Sequence, residues 1–287
     1  IAALAGVNPL KSLWGTMERG EGVLTLLHLF ALFIVLIGMM REPRAWQRLF
    51  ELTFGVGILV SLYALGQYFN IEAFINTTGV RLSGTIGNAA FLASYLLMNV
   101  YFGLFLYLRT QKTSMKWTYG IGLALIVFII FQTQTRGAIL ALVISSLLLL
   151  GFATRKAASK KTRVISLGVL ALIVIISLSL FIWRDSSLVQ SSSIARRITS
   201  ISLEDITTQS RLLTWQASWE AALDRPVFGY GLENYNYAYD SYFPTDVYID
   251  NGSQIWFDRG HNMVFDQLIP NGFVGLVAYL VLFFLML

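Results

Sequence analysis

Long apolar runs set the first limit on this chain. Stretches such as "AILALVISSLLLLGFA" (138–153) and "VISLGVLALIVIISLSLFIW" (164–183) approach the roughly 20 residues that cross a bilayer. Lipid offers no hydrogen bonds, so an exposed span must pair its own backbone and be helical. Seven spans are expected, at 22–40, 50–70, 86–108, 118–134, 138–153, 164–183 and 263–287. Only 13% of the 287 residues are charged, against about 25% in an ordinary soluble domain. The fold class is therefore all-α, a polytopic membrane helix bundle, in which the hydrophobic effect in water does not drive helix against helix.

Loop charge gives the orientation. The short connections 41–49, 109–117 and 154–163 carry Arg41, Arg44, Arg48, Arg109, Lys112, Lys116, Arg155, Lys156, Lys160, Lys161 and Arg163, which assigns them to the cytoplasm. The alternate connections 71–85, 135–137 and 184–262 then lie outside. This divides the chain into 1–183 (six spans with short loops), 184–262 (an extracytoplasmic loop region, largely helical) and 263–287 (a seventh span). Both ends fall inside apolar stretches, so the sequence reads as a fragment cut within membrane segments, the seventh span truncated. The formal charge of +5 sits in short loops and is no nucleic-acid signal. With no cysteine there is neither a disulfide nor a cysteine metal site, and two histidines without an HExxH pattern give no zinc site.

Within the long outer segment, Leu212, Trp215, Trp219 and Leu223 recur at helical spacing and predict an amphipathic helix, capped by Ser210 and ended by Pro226 and Gly229. Such a helix can lie on the membrane surface, which is the simplest reading of its tryptophans. The tyrosine-rich stretch "YGLENYNYAYDSYFPTDVYIDNG" (230–252) reads as a loop. Its rings suit sugar stacking and a membrane-interface belt equally.

Few residues could carry chemistry. Arg136 lies in a nearly absent turn between two apolar runs, where a charge near membrane depth is costly. It either snorkels to headgroups or grips an anion, phosphate above all, since guanidinium holds two oxygens at once. His261, at the outer mouth of the last span, can accept a proton at neutral pH. Arg211 shares a helix face with Trp215 and could meet lipid headgroups, an acidic neighbour or a ligand. Arg259 and Arg81 lie in polar loops, where an arginine needs no special explanation. His28, inside the first span, reads as a packing residue.

Five ordered segments resemble the O-antigen ligase family of membrane glycosyltransferases, which also includes O-antigen polymerases and protein O-oligosaccharyltransferases. They are "SLWGTMERGEGVLTLLHLF" (12–30), "RLSGTIGNAAFLASYLL" (81–97), "QTQTRGAILAL" (132–142), "RLLTWQASWEAALDRPVFGYGLENY" (211–235) and "RGHNMVFDQLIPNGFVGLVAYL" (259–280). They are similar to the family's W-G and R-x-E/Q-G loop, its R-x-x-G-T-x-G-N stretch, its S/T-R-G-A segment, its R-x-x-x-W helix with P-x-x-G-x-G, and its closing H-N motif with G-x-x-G-L. Asn88-Ala89-Ala90 departs from the N-P-N common in the family, and further spans expected on either side are missing.

The resemblance implies a GT-C-like, metal-independent enzyme of the bacterial inner membrane without a cofactor, its active site on the extracytoplasmic face. It implies transfer of a glycan from undecaprenyl pyrophosphate to an acceptor hydroxyl, a lipid A-core sugar in the ligases of lipopolysaccharide biosynthesis. Polymerase and protein-glycosylating activities remain open, as does, in a different class, a transporter of an anionic lipid or solute. By motif, Arg136, Arg211 and His261 become the catalytic residues. Arg259 and Arg81 become further substrate-binding candidates. The partners expected are the undecaprenyl-pyrophosphate-linked glycan donor, a glycan or lipid A-core acceptor and membrane lipids.

Overall fold

A computed structural model describes residues 1–76, 79, 81–157, 159–199, 206–247 and 257–285. Every regular element among them is helical. In chain order the helices are α1 (Ala2–Ala5), α2 (Pro9–Trp14), α3 (Val23–Met39), α4 (Pro43–Tyr68), α5 (Ala89–Arg109), α6 (Thr113–Gln132) and α7 (Arg136–Lys156). There follow α8 (Lys160–Ile182), α9 (Ser187–Ser191), α10 (Ser193–Thr199), α11 (Ile206–Asp224), α12 (Tyr235–Ser241) and α13 (Met263–Leu285). All seven expected spans fall on helices. Six of them, α4 to α8 and α13, are 20 to 26 residues long and apolar enough to cross a membrane. The first, α3, has 17 residues, or about 26 Å of helix, the lower limit for a span. The chain is a polytopic helical membrane protein.

Two compact units divide the chain, Met40–Ile201 and a second made of Ile1–Met39 with Ser202–Leu287. In the Met40–Ile201 unit, α4, α5 and α6 pack around Phe54, Leu92, Leu96, Ile126, Ile129 and Ile130. Small residues permit the close approach. A Cβ on Gly103 would stand 2.2 Å from the Phe54 ring, and one on Gly57 would stand 2.8 Å from Asn99. Without a hydrophobic drive between helices in lipid, this packing and its dispersion contacts hold the bundle. Asn88 caps α5 by accepting from Ala90 N at 2.8 Å. Ala89 thus takes the first helical position, where proline is tolerated, and the departure from N-P-N leaves the cap intact.

The other unit is organised by a break in α13. Pro270 and Gly272 (φ 66°) interrupt its hydrogen-bond ladder. The groups set loose are Ile269 O and Phe273 N, which would pair in an unbroken helix, and Pro270 O. The 226–231 segment meets all three: Tyr230 N donates to Ile269 O at 2.8 Å, Gly231 N to Pro270 O at 3.0 Å, and Phe273 N to Pro226 O at 2.7 Å. Two backbones this close exclude side chains between them. A Cβ on Gly229 would lie 2.3 Å from Ile269 O, and one on Gly272 would lie 2.3 Å from Val227 O.

Several local expectations are corrected. Helix α11 starts at Ile206, so Ser210 is not its cap but lies inside it, buried. Its buried face is made of Ser210, Thr214, Ala217, Ser218, Ala221 and Ala222, whereas Leu212, Trp219 and Leu223 are exposed. The small residues seat it against α12 and α13, and the large apolar ones are left for an outer environment. The tyrosine-rich stretch is partly helix rather than loop: α12 buries Tyr235 and Tyr239, and Tyr230 is buried beside it. Those rings are core, and the part of the stretch at 248–252 lies outside the described residues. His28 is exposed, not packed, its Nδ1 bonded to the Leu24 carbonyl of its own helix at 2.7 Å.

Gly229→Ala and Gly272→Ala should each lower the thermal midpoint of the detergent-solubilised protein. The positive φ alone costs about 1–3 kcal/mol. Gly168→Ala, at a helical position with open space around it, should leave the midpoint unchanged or slightly raised. Equal midpoints for all three would contradict the docking of 226–231 on α13.

Candidate functional site

His261 sits in the turn entering α13 with φ 49°, a left-handed conformation uncommon outside glycine. Its neighbours hold it there. The Gly260 N–H donates to Asp266 Oδ1 at 2.8 Å, and the Gly260 carbonyl accepts from Trp215 Nε1 at 2.7 Å. Space around Gly260 is tight, since a Cβ there would meet Phe265 at 3.0 Å and the Tyr235 hydroxyl at 3.5 Å. That hydroxyl shares a buried hydrogen bond with Ser218 of α11 at 2.7 Å. The Phe257 ring meets the His261 ring edge to face at 5.4 Å. The R-x-x-x-W and H-N segments therefore meet in one place. Trp215, first read as a membrane-surface residue, fixes the backbone next to the histidine.

Electrostatics favours a neutral imidazole. The His261 pKa lies below its ordinary value, first because the surrounding protein strips water from the charged form and second because the Arg211 guanidinium is near. Asp266 and Asp258 pull the other way. Arg211 is exposed and makes no ion pair among the described residues. The pair thus offers a free base beside a cation, which suits deprotonating a hydroxyl near negative charge.

Arg259 is placed differently from Arg211. Its guanidinium, largely buried, donates to Glu233 and, at 2.7 Å, to Glu21. Arg19 forms a two-point ion pair with Asp258, its Nη2 at 3.0 Å from Oδ1, and this pair holds the Asp258 carboxyl below its usual range. Sequence reasoning passed over Glu233, Asp266 and Trp215. Trp215 stood in the R-x-x-x-W segment without a role of its own, and Glu233 and Asp266 stood in no pattern that announces chemistry; Trp215 and Glu233 take their meaning from partners 45 and 26 positions away.

In the Met40–Ile201 unit, Arg136 is the first residue of α7, after the turn 133–135. Three guanidinium groups gather at that turn. Arg81 donates to Thr133 O and Thr135 Oγ1, both at 2.9 Å, Arg197 to Gln134 O at 3.0 Å, and Arg136 to Arg197 O at 2.7 Å. Gln67, buried, braces the Arg81 loop by accepting from Gly84 N at 2.9 Å. Beside the turn lies a groove of about 520 Å³, walled by apolar residues of α5, α6, α7, α8 and α10, among them Phe131, Ile139, Leu142, Ile173 and Ile198. Arg136 lines it as its charged residue. That volume lies within the roughly 300–1,000 Å³ of a ligand pocket. Arg197 had no sequence signal beyond its basic pair with Arg196.

Arg211→Gln should raise the His261 pKa, because the nearby positive charge disfavours protonation. Desolvation, the largest cause of the lowering, remains in the variant. NMR titration of the imidazole signals reads this directly, and only two histidines need assigning. An unchanged or lowered value would show that Arg211 does not act on the ring.

Comparison with protein families gives one match, to the model described as O-Antigen ligase, over residues 121–280. A search of curated proteins found no match. The matched stretch spans the Arg136 turn, the groove helices α7 and α8, the Arg211–Trp215 helix and the His261 turn, which is more than half of the chain. It is a membrane protein of the O-antigen ligase family, a family of glycosyltransferase-like enzymes.

Proposed function

We propose that this protein transfers a glycan from undecaprenyl pyrophosphate to an acceptor hydroxyl at the extracytoplasmic face of the bacterial inner membrane. The observation that carries the lipid-linked donor is the groove: mostly apolar, walled largely by candidate spans, and with Arg136 among its lining residues. A chain of methyl-branched hydrocarbon fits such walls, and a phosphate attached to it needs a guanidinium. The basic connections 41–49, 109–117 and 154–163 support the orientation, which leaves the Arg136 turn and residues 184–262 outside.

The chemistry follows from the His261 turn. The acceptor hydroxyl attacks the anomeric carbon while the imidazole takes its proton. The bond from that carbon to the pyrophosphate oxygen breaks, and its electron pair leaves with undecaprenyl pyrophosphate. The anomeric centre inverts. Arg211 stabilises the charge that develops on the departing diphosphate, a contribution that can dominate in a partly dry site, and the family motif assigns Arg136 a like role. Trp215 and Asp266 hold the backbone so that the ring needs little reordering during the reaction. A lipid A-core sugar is the acceptor of the ligase reaction, with a second lipid-linked glycan as the acceptor of a polymerase.

His261→Ala should abolish transfer from lipid-linked glycan, with the protein still in the membrane fraction. Arg136→Ala should lower turnover by about 100-fold or more, as loss of a charge-stabilising donor does, and Arg136→Lys should recover only part of it. The assay is purified protein with lipid-linked glycan, following release of undecaprenyl pyrophosphate. Wild-type turnover in His261→Ala would refute the assignment of the base, and movement of the lipid without bond cleavage would refute the enzyme.

A further inference from the structure

We propose that Glu233 is a positioning residue for His261, acting through Arg259, with the 15–22 loop as its second anchor. This rests on the reading of His261 as the base, and extends it to a residue that no motif assigns. Glu233 has φ 61°, which a glycine or asparagine would adopt with less strain. Its side chain is only 2% exposed. A strained, buried glutamate needs a reason, and its contacts supply one. One carboxylate oxygen accepts from Thr16 N at 3.1 Å and from Thr16 Oγ1 at 2.8 Å. The other accepts from Arg259, two residues before His261. Glu21 holds the same Arg259 nitrogen from the loop's far end at 2.7 Å, and Arg19, between them, holds Asp258.

The loop and the histidine turn are therefore stapled at three points, and Glu233 is the hub that touches both sides. The backbone around Glu233 is itself immobilised. Asn234, fully buried, donates to Ser12 Oγ at 3.0 Å and Tyr230 O at 3.0 Å, and Ser12 Oγ donates to Leu232 O at 2.8 Å. Lys11 reaches Asn236 Oδ1 at 2.6 Å. Position is thus passed from the docked 226–231 segment through Glu233 to Arg259, and from Arg259 to His261. Arg259 and the W-G and R-G-E-G elements at 14–22 acquire a task in this arrangement that does not require them to touch substrate.

The test uses the full chain in detergent with labelled histidine, in a His28→Gln background that leaves one imidazole signal. The charged groups that act on that ring are Arg211 on α11, Asp266 on α13, and Asp258 and Arg19. Glu233→Gln should broaden or split the His261 signal and shift its titration. It should lower kcat about 10- to 100-fold with KM within about twofold, as expected of a misplaced group. Glu233→Asp, which keeps the charge, should recover part of both. Should Glu233→Gln fail to fold, Thr16→Val removes only the hydroxyl donor and should broaden the same signal more mildly. Arg19→Asp and Asp258→Arg should each disturb the ring, and combined they should restore a single signal. An unaltered His261 signal in Glu233→Gln, or in Thr16→Val if the former does not fold, would overturn the proposal. Signal changes in a protein that transfers no glycan even as wild type would leave positioning standing and remove the transferase reading instead.

Discussion

A broken helix in a membrane protein must find partners for the backbone groups it releases, and the Ile1–Met39 and Ser202–Leu287 unit is arranged around that demand. An unpaired carbonyl or N–H at membrane depth costs several kcal/mol. The 226–231 segment answers by exchanging three backbone hydrogen bonds with residues 269–273 of α13. The two glycines on either side of this contact permit an approach that any side chain would block. Once the segment is docked, Glu233, Asn234 and Tyr235 follow within four residues of it. Through Arg259, Ser12 and the space beside Gly260, they set where the next functional turn must run. The break is thus the scaffold of the site.

Charge is handled differently at the two sites. Around His261 arginines face carboxylates, the largely buried Arg259 with Glu233 and Glu21, and Arg19, nearer the surface, with Asp258. Such a pair contributes little net stability when buried, yet removing one partner strands the other, so it specifies geometry more than it stabilises the fold. Arg211 stands outside this scheme and acts on the imidazole. At the α6–α7 turn, arginines face carbonyls. Arg81 and Arg197 occupy the oxygens that α6 leaves open at its end, where a cation is favoured by the helix dipole. Arg136 opens the next helix at the edge of an apolar groove. The lining of that groove is mostly apolar, with Arg136 as its charged residue.

Much of this was legible before any coordinates. Periodic apolar runs locate helices because lipid permits little else, and all seven expected spans are helical. Arg136 stood out because a charge between two apolar runs is costly, His261 because an imidazole at the mouth of a span can take a proton, and Arg211 by its R-x-x-x-W motif. The face of α11 was harder to read. Leu212, Trp219 and Leu223 advertise a buried stripe in a soluble protein, but here small residues seat the helix and the large ones turn outward. The rule that large apolar residues go inside loses its force when the surroundings are themselves apolar. Tyr235 and Tyr239 failed for the opposite reason. A cluster of tyrosines separated by polar residues looks like a loop until α12 gathers two of them into one core.

The sequence alone determined that the chain is a helical membrane protein and where its spans run, because those follow from local hydropathy; Arg136, Arg211 and His261 were singled out as candidates by their motifs. Tertiary structure decided how the His261 turn is held. Trp215 against Gly260 and Glu233 against Arg259 join residues 45 and 26 positions apart, and Thr16 against Glu233 joins residues 217 apart. Hydrogen bonds of that kind depend on which backbone segments the fold brings together, and no local pattern of residues encodes them.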